Sequence, residues 1–188
     1  MRLEKPLVGY QVTLRNVEVS DLEQLRAWRN SEHVKRFMLT TNNISCEQQH
    51  AWFEHIGRAT NQIHFVIEYR GGAIGSCNIK TRGQGVDINN AEHFELGLYI
   101  GDQRYAGNLV AFSPTLVMND YCFSELNAKL LHAVVKSDNV AALRYNEQLG
   151  YTVTQQGDLV DLILTEQNYA HHAKGLKALL KRPPRDKK

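Results

Sequence analysis

Cysteine and histidine are the residues that first raise the prospect of metal or thiol chemistry in this chain. Cys46, Cys77 and Cys122 are odd in number and nowhere spaced C-x-x-C, so neither a disulfide framework nor a zinc knuckle is indicated. The histidine pairs His50/His55 and His171-His172 do not stand at the i, i+4 spacing that puts two imidazoles on one helix face, and no metal is expected. Anion binding has a better candidate. The stretch Tyr105-Ala-Gly-Asn-Leu-Val-Ala-Phe-Ser-Pro114 runs into a predicted helix. Backbone N–H groups entering a helix N-terminus are otherwise unpaired, and the macrodipole there favours negative charge. Ser113 suits the N-cap and Pro114 the first helical position.

The elements that must position such residues follow from periodicity. Tyr10 to Asn16 alternates apolar and polar residues and is a first strand. Ser20-Asp-Leu-Glu23 reads as a capping box, with Leu22, Leu25 and Trp28 on one helical stripe, and Ser45-Cys-Glu-Gln48 opens a second helix carrying Trp52, Phe53 and Ile56. His64 to Tyr69, the turn Gly71-Gly72 and Ala73 to Ile79 form a hairpin, followed by a polar loop over Thr81 to Asn90 and a strand over Phe94 to Ile100. Pro114 to Phe123 is helical, Lys129 to Val135 is a strand, and Asn139 to Leu149 is a helix closed by Gly150. Two strands, Tyr151 to Gln155 and Leu159 to Leu164, turn at Gly157-Asp158, and one amphipathic helix spans Thr165 to Leu180. The order is β-α-α-β-β-β-α-β-α-β-β-α, the pattern of a single α/β domain.

Two stretches add to that order. One is Trp28-Arg29-Asn30, then Phe37-Met38, Ile44 and His50-Ala-Trp-Phe53. The other is Asn139-x-x-Ala142 through Leu149-Gly150-Tyr151, similar to a motif N-x-x-A-x-x-x-Y-x-x-x-G-F. With them, residues 10 to 166 resemble the GNAT superfamily of CoA-dependent N-acyltransferases. The first stretch looks like the N-terminal half of bacterial acetyltransferases acting on nucleotide-linked amino sugars, such as those of pseudaminic acid synthesis. The resemblance implies an α/β (α+β) fold with a mixed sheet of about seven strands flanked by helices, splayed between the fourth and fifth strands. It also implies acetyl-CoA as cosubstrate and a primary amine as acceptor.

The same resemblance implies the site. Leu98, Tyr99 and Ile100 would offer backbone groups to the pantetheine arm and the thioester oxygen. The family's pyrophosphate loop, Q/R-x-x-G-x-G/A, can be matched in two registers. Arg104-x-x-Gly107-x-Leu109 buries Pro114 deep in the helix, at a cost of about 3 kcal/mol. Ala106-x-x-Leu109-x-Ala111 puts Pro114 at the helix start and is preferred. Gly107, Asn108, Leu109, Val110, Ala111 and Ser113 then hold the cosubstrate, with Asn139 assisting. Leu109 departs from the family, because a side chain stands where close backbone approach to phosphate favours glycine. A primary ammonium with a pKa near 10.4 benefits from a positioned base, and Glu95 matches the family's glutamate, with Glu92 and His93 as lesser candidates. The family's acid, a tyrosine, falls on Asn146; Tyr145 stands one residue earlier, about 100° around the helix.

Composition bounds the remainder. With 43% hydrophobic and 22% charged residues in 188, the chain is an ordinary globular one, long enough for a core without disulfides or metal. Residues 174–188 hold seven Lys/Arg and one Asp, leaving residues 1–173 with 15 basic and 19 acidic side chains. The net charge of +2 therefore comes from the tail, and the body lacks the basic aromatic surface that nucleic-acid binding needs. The expected division is a GNAT-like domain over residues 1–173 and a basic, mobile tail over 174–188 that includes the end of the last helix. No apolar run reaches the roughly 20 residues of a membrane span, so a cytoplasmic protein with a small-molecule amine as partner is expected. A homodimer is compatible with the sequence. Two other functions compete: acetylation of a protein N-terminus, as in the ribosomal-protein enzymes, and a non-catalytic GNAT-like domain that binds a ligand or partner.

Overall fold

The computed structural model describes residues 1–182. Its strands are β1 (Leu7–Gly9), β2 (Val12–Asn16), β3 (Gln62–Tyr69), β4 (Gly72–Thr81), β5 (His93–Ile100), β6 (Leu130–Lys136), β7 (Thr152–Gln155) and β8 (Leu159–Leu164). Its helices are α1 (Leu22–Asn30), α2 (Glu32–Lys35), α3 (Cys46–Arg58), α4 (Ser113–Ser124), α5 (Val140–Gln148), α6 (Glu166–His172) and α7 (Lys174–Leu180). The strands form one mixed sheet in the order β1-β2-β3-β4-β5-β6-β8-β7. Every neighbouring pair is antiparallel except β5 with β6, which is parallel.

The two faces of the sheet carry separate apolar layers. Leu14, Phe65, Ile67, Ile79, Phe94 and Leu131 are fully buried on the face covered by α4, whose Leu116 and Met118 are also at 0% exposure. On the other face Val66 packs with Val17, Leu22, Leu25 and Ile56, bringing in Trp28, Trp52 and Phe53 from α1 and α3. Alternation along β3 explains the division, because Val66 points away from Phe65 and Ile67.

Several expected boundaries move. The sheet gains an eighth strand, β1, whose three residues are too few to register as alternation, and its turn is made by Tyr10 and Gln11 at φ 50° and 71°. The β3–β4 turn lies at Arg70-Gly71, at φ 51° and 78°, rather than at Gly71-Gly72, because Tyr69 pairs with Gly72. The first capping box is Glu18 with Asp21, ahead of a 3-10 turn, instead of Ser20 with Glu23. The second is as expected: Ser45 Oγ accepts from Gln48 N–H at 3.2 Å and Gln48 Oε1 from Ser45 N–H at 2.8 Å. The last helix is two, α6 and α7, broken at Ala173. Residues 174–182, where the expected tail begins with the end of the last helix, form α7 and its C-terminal cap; Lys177 Nζ donates to Asp120 at 2.7 Å and Leu180 is buried. The rest of the expected tail lies outside the described residues.

Candidate active site

The central feature is a gap in the sheet. β5 pairs with β4 along its length, from Thr81↔Phe94 to Gly75↔Ile100. With β6 it pairs only at His93↔Leu130, Phe94↔Leu131 and Glu95↔His132. Beyond Glu95 the two strands part, as expected, and the β6-facing edge of β5 over Leu96 to Ile100 has no ladder partner. Backbone N–H and C=O groups left unpaired in a half-buried position need other partners. Leu98, Tyr99 and Ile100 lie along this stretch and are half-buried.

Past the end of β5 the chain approaches α4 in two 3-10 turns, Gln103–Tyr105 and Leu109–Phe112. Asn108 caps the second, its Oδ1 accepting from Val110 N–H at 3.3 Å. Gly107, at φ +73°, supplies the left-handed residue between the turns, and a Cβ there would meet nothing within 4 Å. Pro114 lies in the first turn of α4, as the Ala106-x-x-Leu109-x-Ala111 register requires. Ser113, however, is not the N-cap. It already has helical dihedrals, and its buried Oγ has no hydrogen-bond partner among the described residues. The capping moved to Asn108 because the helical path begins earlier, at Leu109. Val110 and Ala111 are buried, whereas Leu109 is 38% exposed, so its side chain stands out of the core at the mouth of the loop.

α5 meets this loop through a tyrosine. Tyr145 Oη donates to Ala111 O at 3.1 Å and shares a 2.6 Å hydrogen bond with Thr115 Oγ1, while its ring stacks on Phe112 at 4.4 Å. Burial pushes its phenol far above the ordinary tyrosine range, so it stays protonated. Asn146 is buried and turns back on its own helix, Nδ2 donating to Ala142 O at 2.8 Å. Asn139 caps α5, with Oδ1 accepting from Ala142 N–H at 3.1 Å. Of the two neighbouring residues on α5, it is Tyr145 that reaches the start of α4.

The profile of the Acetyltransferase (GNAT) domain family matches residues 11–152, most of the chain and all of the elements just described. The chain belongs to the GNAT acetyltransferases. An uncharacterised protein of Methanocaldococcus jannaschii is 24% identical over 153 residues, which are 78% of this chain; the chain spans only 29% of that relative's length. Two solved structures share the fold. The spermidine N-acetyltransferase of Vibrio cholerae, in complex with CoA and spermine, has a TM-score of 0.72 at 19% identity and covers 86% of this chain and 99% of its own. The N-acetyltransferase PseH of Campylobacter jejuni, in complex with acetyl coenzyme A, has a TM-score of 0.62 at 17% identity and covers 82% of this chain and 99% of its own.

On the opposite side of the gap, the α1 face of this GNAT domain gives each residue of Trp28-Arg29-Asn30 a separate task. The Trp28 ring lies against Gly101, where a Cβ would fall 2.1 Å from Trp28 Cδ2. Asn30 clamps the following segment, donating from Nδ2 to Ile44 O at 2.9 Å and accepting from Ile44 N–H at 2.8 Å. Arg29 is half-buried beside Tyr99, and its Nη1 has no partner among the described residues. Burial lowers the Arg29 pKa and raises that of Tyr99.

Nearer the point where β5 and β6 part, an ionic chain crosses the sheet. Arg82 donates from Nε to Glu95 Oε2 at 3.3 Å and from Nη2 to Asp161 Oδ1 at 3.1 Å. Glu95 is thus on the expected strand, with its carboxylate engaged. Glu92 is exposed and paired with Lys129 at 2.6 Å, on the far side of the loop. His93 stacks with His132 of β6 at 5.5 Å between ring centroids. Sequence reasoning missed Arg82, His132 and Asp161. Their only signal was polar residues at alternate positions of two predicted strands, for His132 and Asp161, and a charge in a predicted loop, for Arg82, and no local pattern says that three separate segments meet. Among the described residues no group of three His, Cys, Asp or Glu could hold a metal, and no helix is long and apolar enough to cross a membrane.

Proposed function

We propose that this GNAT domain moves the acetyl group of acetyl-CoA to the primary amine of a small molecule, with amino sugars as the leading acceptor class. The observation that carries the reading is the unpaired edge of β5 from Leu96 to Ile100, a row of backbone groups in want of a linear polar ligand. The residues present fit acetyl-CoA, which would supply an acetyl thioester. The backbone of Leu98, Tyr99 and Ile100 suits a pantetheine arm. The segment from Gly107 to Ser113 winds into the N-terminus of α4, whose macrodipole favours the negative charge of a pyrophosphate. Tyr145, protonated and hydrogen-bonded to Ala111 O and Thr115 Oγ1, fastens α5 to the start of α4 beside that path. Asn146 and Asn139 act through α5, holding the helix that carries Tyr145. Glu95 stands at the end of the gap where the amine must lose its proton.

A small amine as acceptor draws support from the likeness to the spermidine N-acetyltransferase, whose structure holds CoA and spermine, and from the α1 face, where Arg29 lies half-buried beside Tyr99 of β5. A non-catalytic scaffold is the second reading, favoured by Leu109, which projects at the loop where phosphate must approach. Release of free CoA thiol from acetyl-CoA separates the two. Amine-dependent release supports the transferase, and none with an amino-sugar nucleotide, spermidine or a peptide with a free N-terminus would favour the scaffold.

A further inference from the structure

Where β5 and β6 part, the last pair is Glu95 with His132, so these two side chains flank the end of the gap on the α1 face. Glu95 is not free to act alone, because Arg82 holds its carboxylate at 3.3 Å and ties it to Asp161 of β8 at 3.1 Å. His132 differs. Its Nε2 faces His93 Nδ1 at 3.4 Å, and its Nδ1 makes no hydrogen bond among the described residues. His93 is exposed, so the pair runs from the end of the gap to solvent.

Resting on the acetyl-transfer reading above, we propose that His132, backed by His93, accepts the proton of the acceptor's ammonium group, while Glu95 is a positioning residue held by Arg82. The proton is taken at His132 Nδ1, the Nε2 proton passes to His93, and His93 returns it to water. The neutral amine then forms its C–N bond to the acetyl carbon as the C–S bond breaks, and the amine's second proton leaves with the thiolate as free CoA thiol.

The surroundings suit a base that is neutral at physiological pH. Burial lowers the His132 pKa most, the Arg82 guanidinium and His93 lower it further, and Glu95 and Asp161 oppose them. These are the charged groups that face His132 from β5, β8 and the segment after β4.

The test is a pH profile of acetyl transfer, read as CoA thiol release with an amino-sugar nucleotide, spermidine and a free N-terminal peptide as acceptors. It is paired with an NMR titration of the histidine ring protons. In the wild type, kcat/KM should rise through the same pKa that NMR assigns to His132. His132→Gln and His132→Asn should lower kcat by about 10²-fold or more, remove that limb and leave acetyl-CoA affinity unchanged. His93→Gln should retain the limb and move it to higher pH, since a neighbouring imidazole no longer opposes protonation. Glu95→Gln should change KM and rate while keeping the limb. A folded His132→Gln with the wild-type rate and profile would overturn the proposal, as would loss of the limb in Glu95→Gln alone. If the wild type binds acetyl-CoA but acetylates none of the three amines, the transferase reading falls and the proton path falls with it. If acetyl-CoA does not bind at all, the failure lies earlier, in the cosubstrate.

Discussion

Trp28 rests where a β-carbon on residue 101 would have to be, so one missing atom lets α1 close over the end of β5. His33 strengthens the same junction, its Nε2 lying 3.0 Å from Gly101 O. Gly101→Ala should therefore push Trp28 aside and lower stability by about 1–3 kcal/mol in urea unfolding, as overpacking does. It should also weaken acceptor binding more than acetyl-CoA binding, because Arg29 rides on the displaced helix. An unchanged midpoint would mean that α1 can move freely. Residues of this kind were half legible. Trp28-Arg29-Asn30 stood out in the sequence, but its partners Gly101, Tyr99 and Ile44 are distant along the chain. Ser113 was misread as a cap because the rule for caps is local, and the earlier 3-10 turn that displaced it depends on Asn108.

Among the elements, the segment from Asp102 to Ser113 carries the most consequence, since two registers disagreed on whether Arg104 belongs to the pyrophosphate loop. Arg104 is exposed and paired with Asp102 at 2.6 Å, away from the α4 start. Arg104→Ala should weaken acetyl-CoA binding by less than about fivefold, the reach of an exposed charge. Gly107→Val forces a β-branched residue to φ +73° and should disturb the loop, at about 1–3 kcal/mol and a large loss of affinity. A large loss of affinity in Arg104→Ala, in calorimetric titrations of both variants, would restore the other register. Helices and most strands could be read from periodicity because their signals repeat within a few residues. The gap between β5 and β6 could not be so read. It arises from pairings that stop after Glu95↔His132, and apolar β5 looks like any central strand in sequence; only the family resemblance anticipated it.

At the scale of the molecule, burial of His64 makes stability depend on acid. The imidazole is pushed down to about 3, by burial first, then by Lys80, the N-terminal ammonium and His55. The unfolded value is near 6.5, so between those two pH values the unfolded chain binds a proton that the native protein refuses. Stability is unaffected by this group above about pH 6.5, and falls on acidification by up to about 1.4 kcal/mol per pH unit. His64→Gln should flatten that slope in urea unfolding measured from pH 7 to pH 4. An equally steep slope in the variant would assign the acid sensitivity to other groups.

Acetyl-CoA is proposed to bind along the unpaired edge of β5 and the loop into α4 together. Isothermal titration calorimetry with acetyl-CoA, supported by thermal unfolding, addresses this most directly. The account predicts saturable binding of one acetyl-CoA per chain and a rise in thermal midpoint. Ligand at 100 times its dissociation constant should add about 2.7 kcal/mol of stability, and acetate alone should add none. No heat of binding and no shift of midpoint at millimolar acetyl-CoA would contradict it.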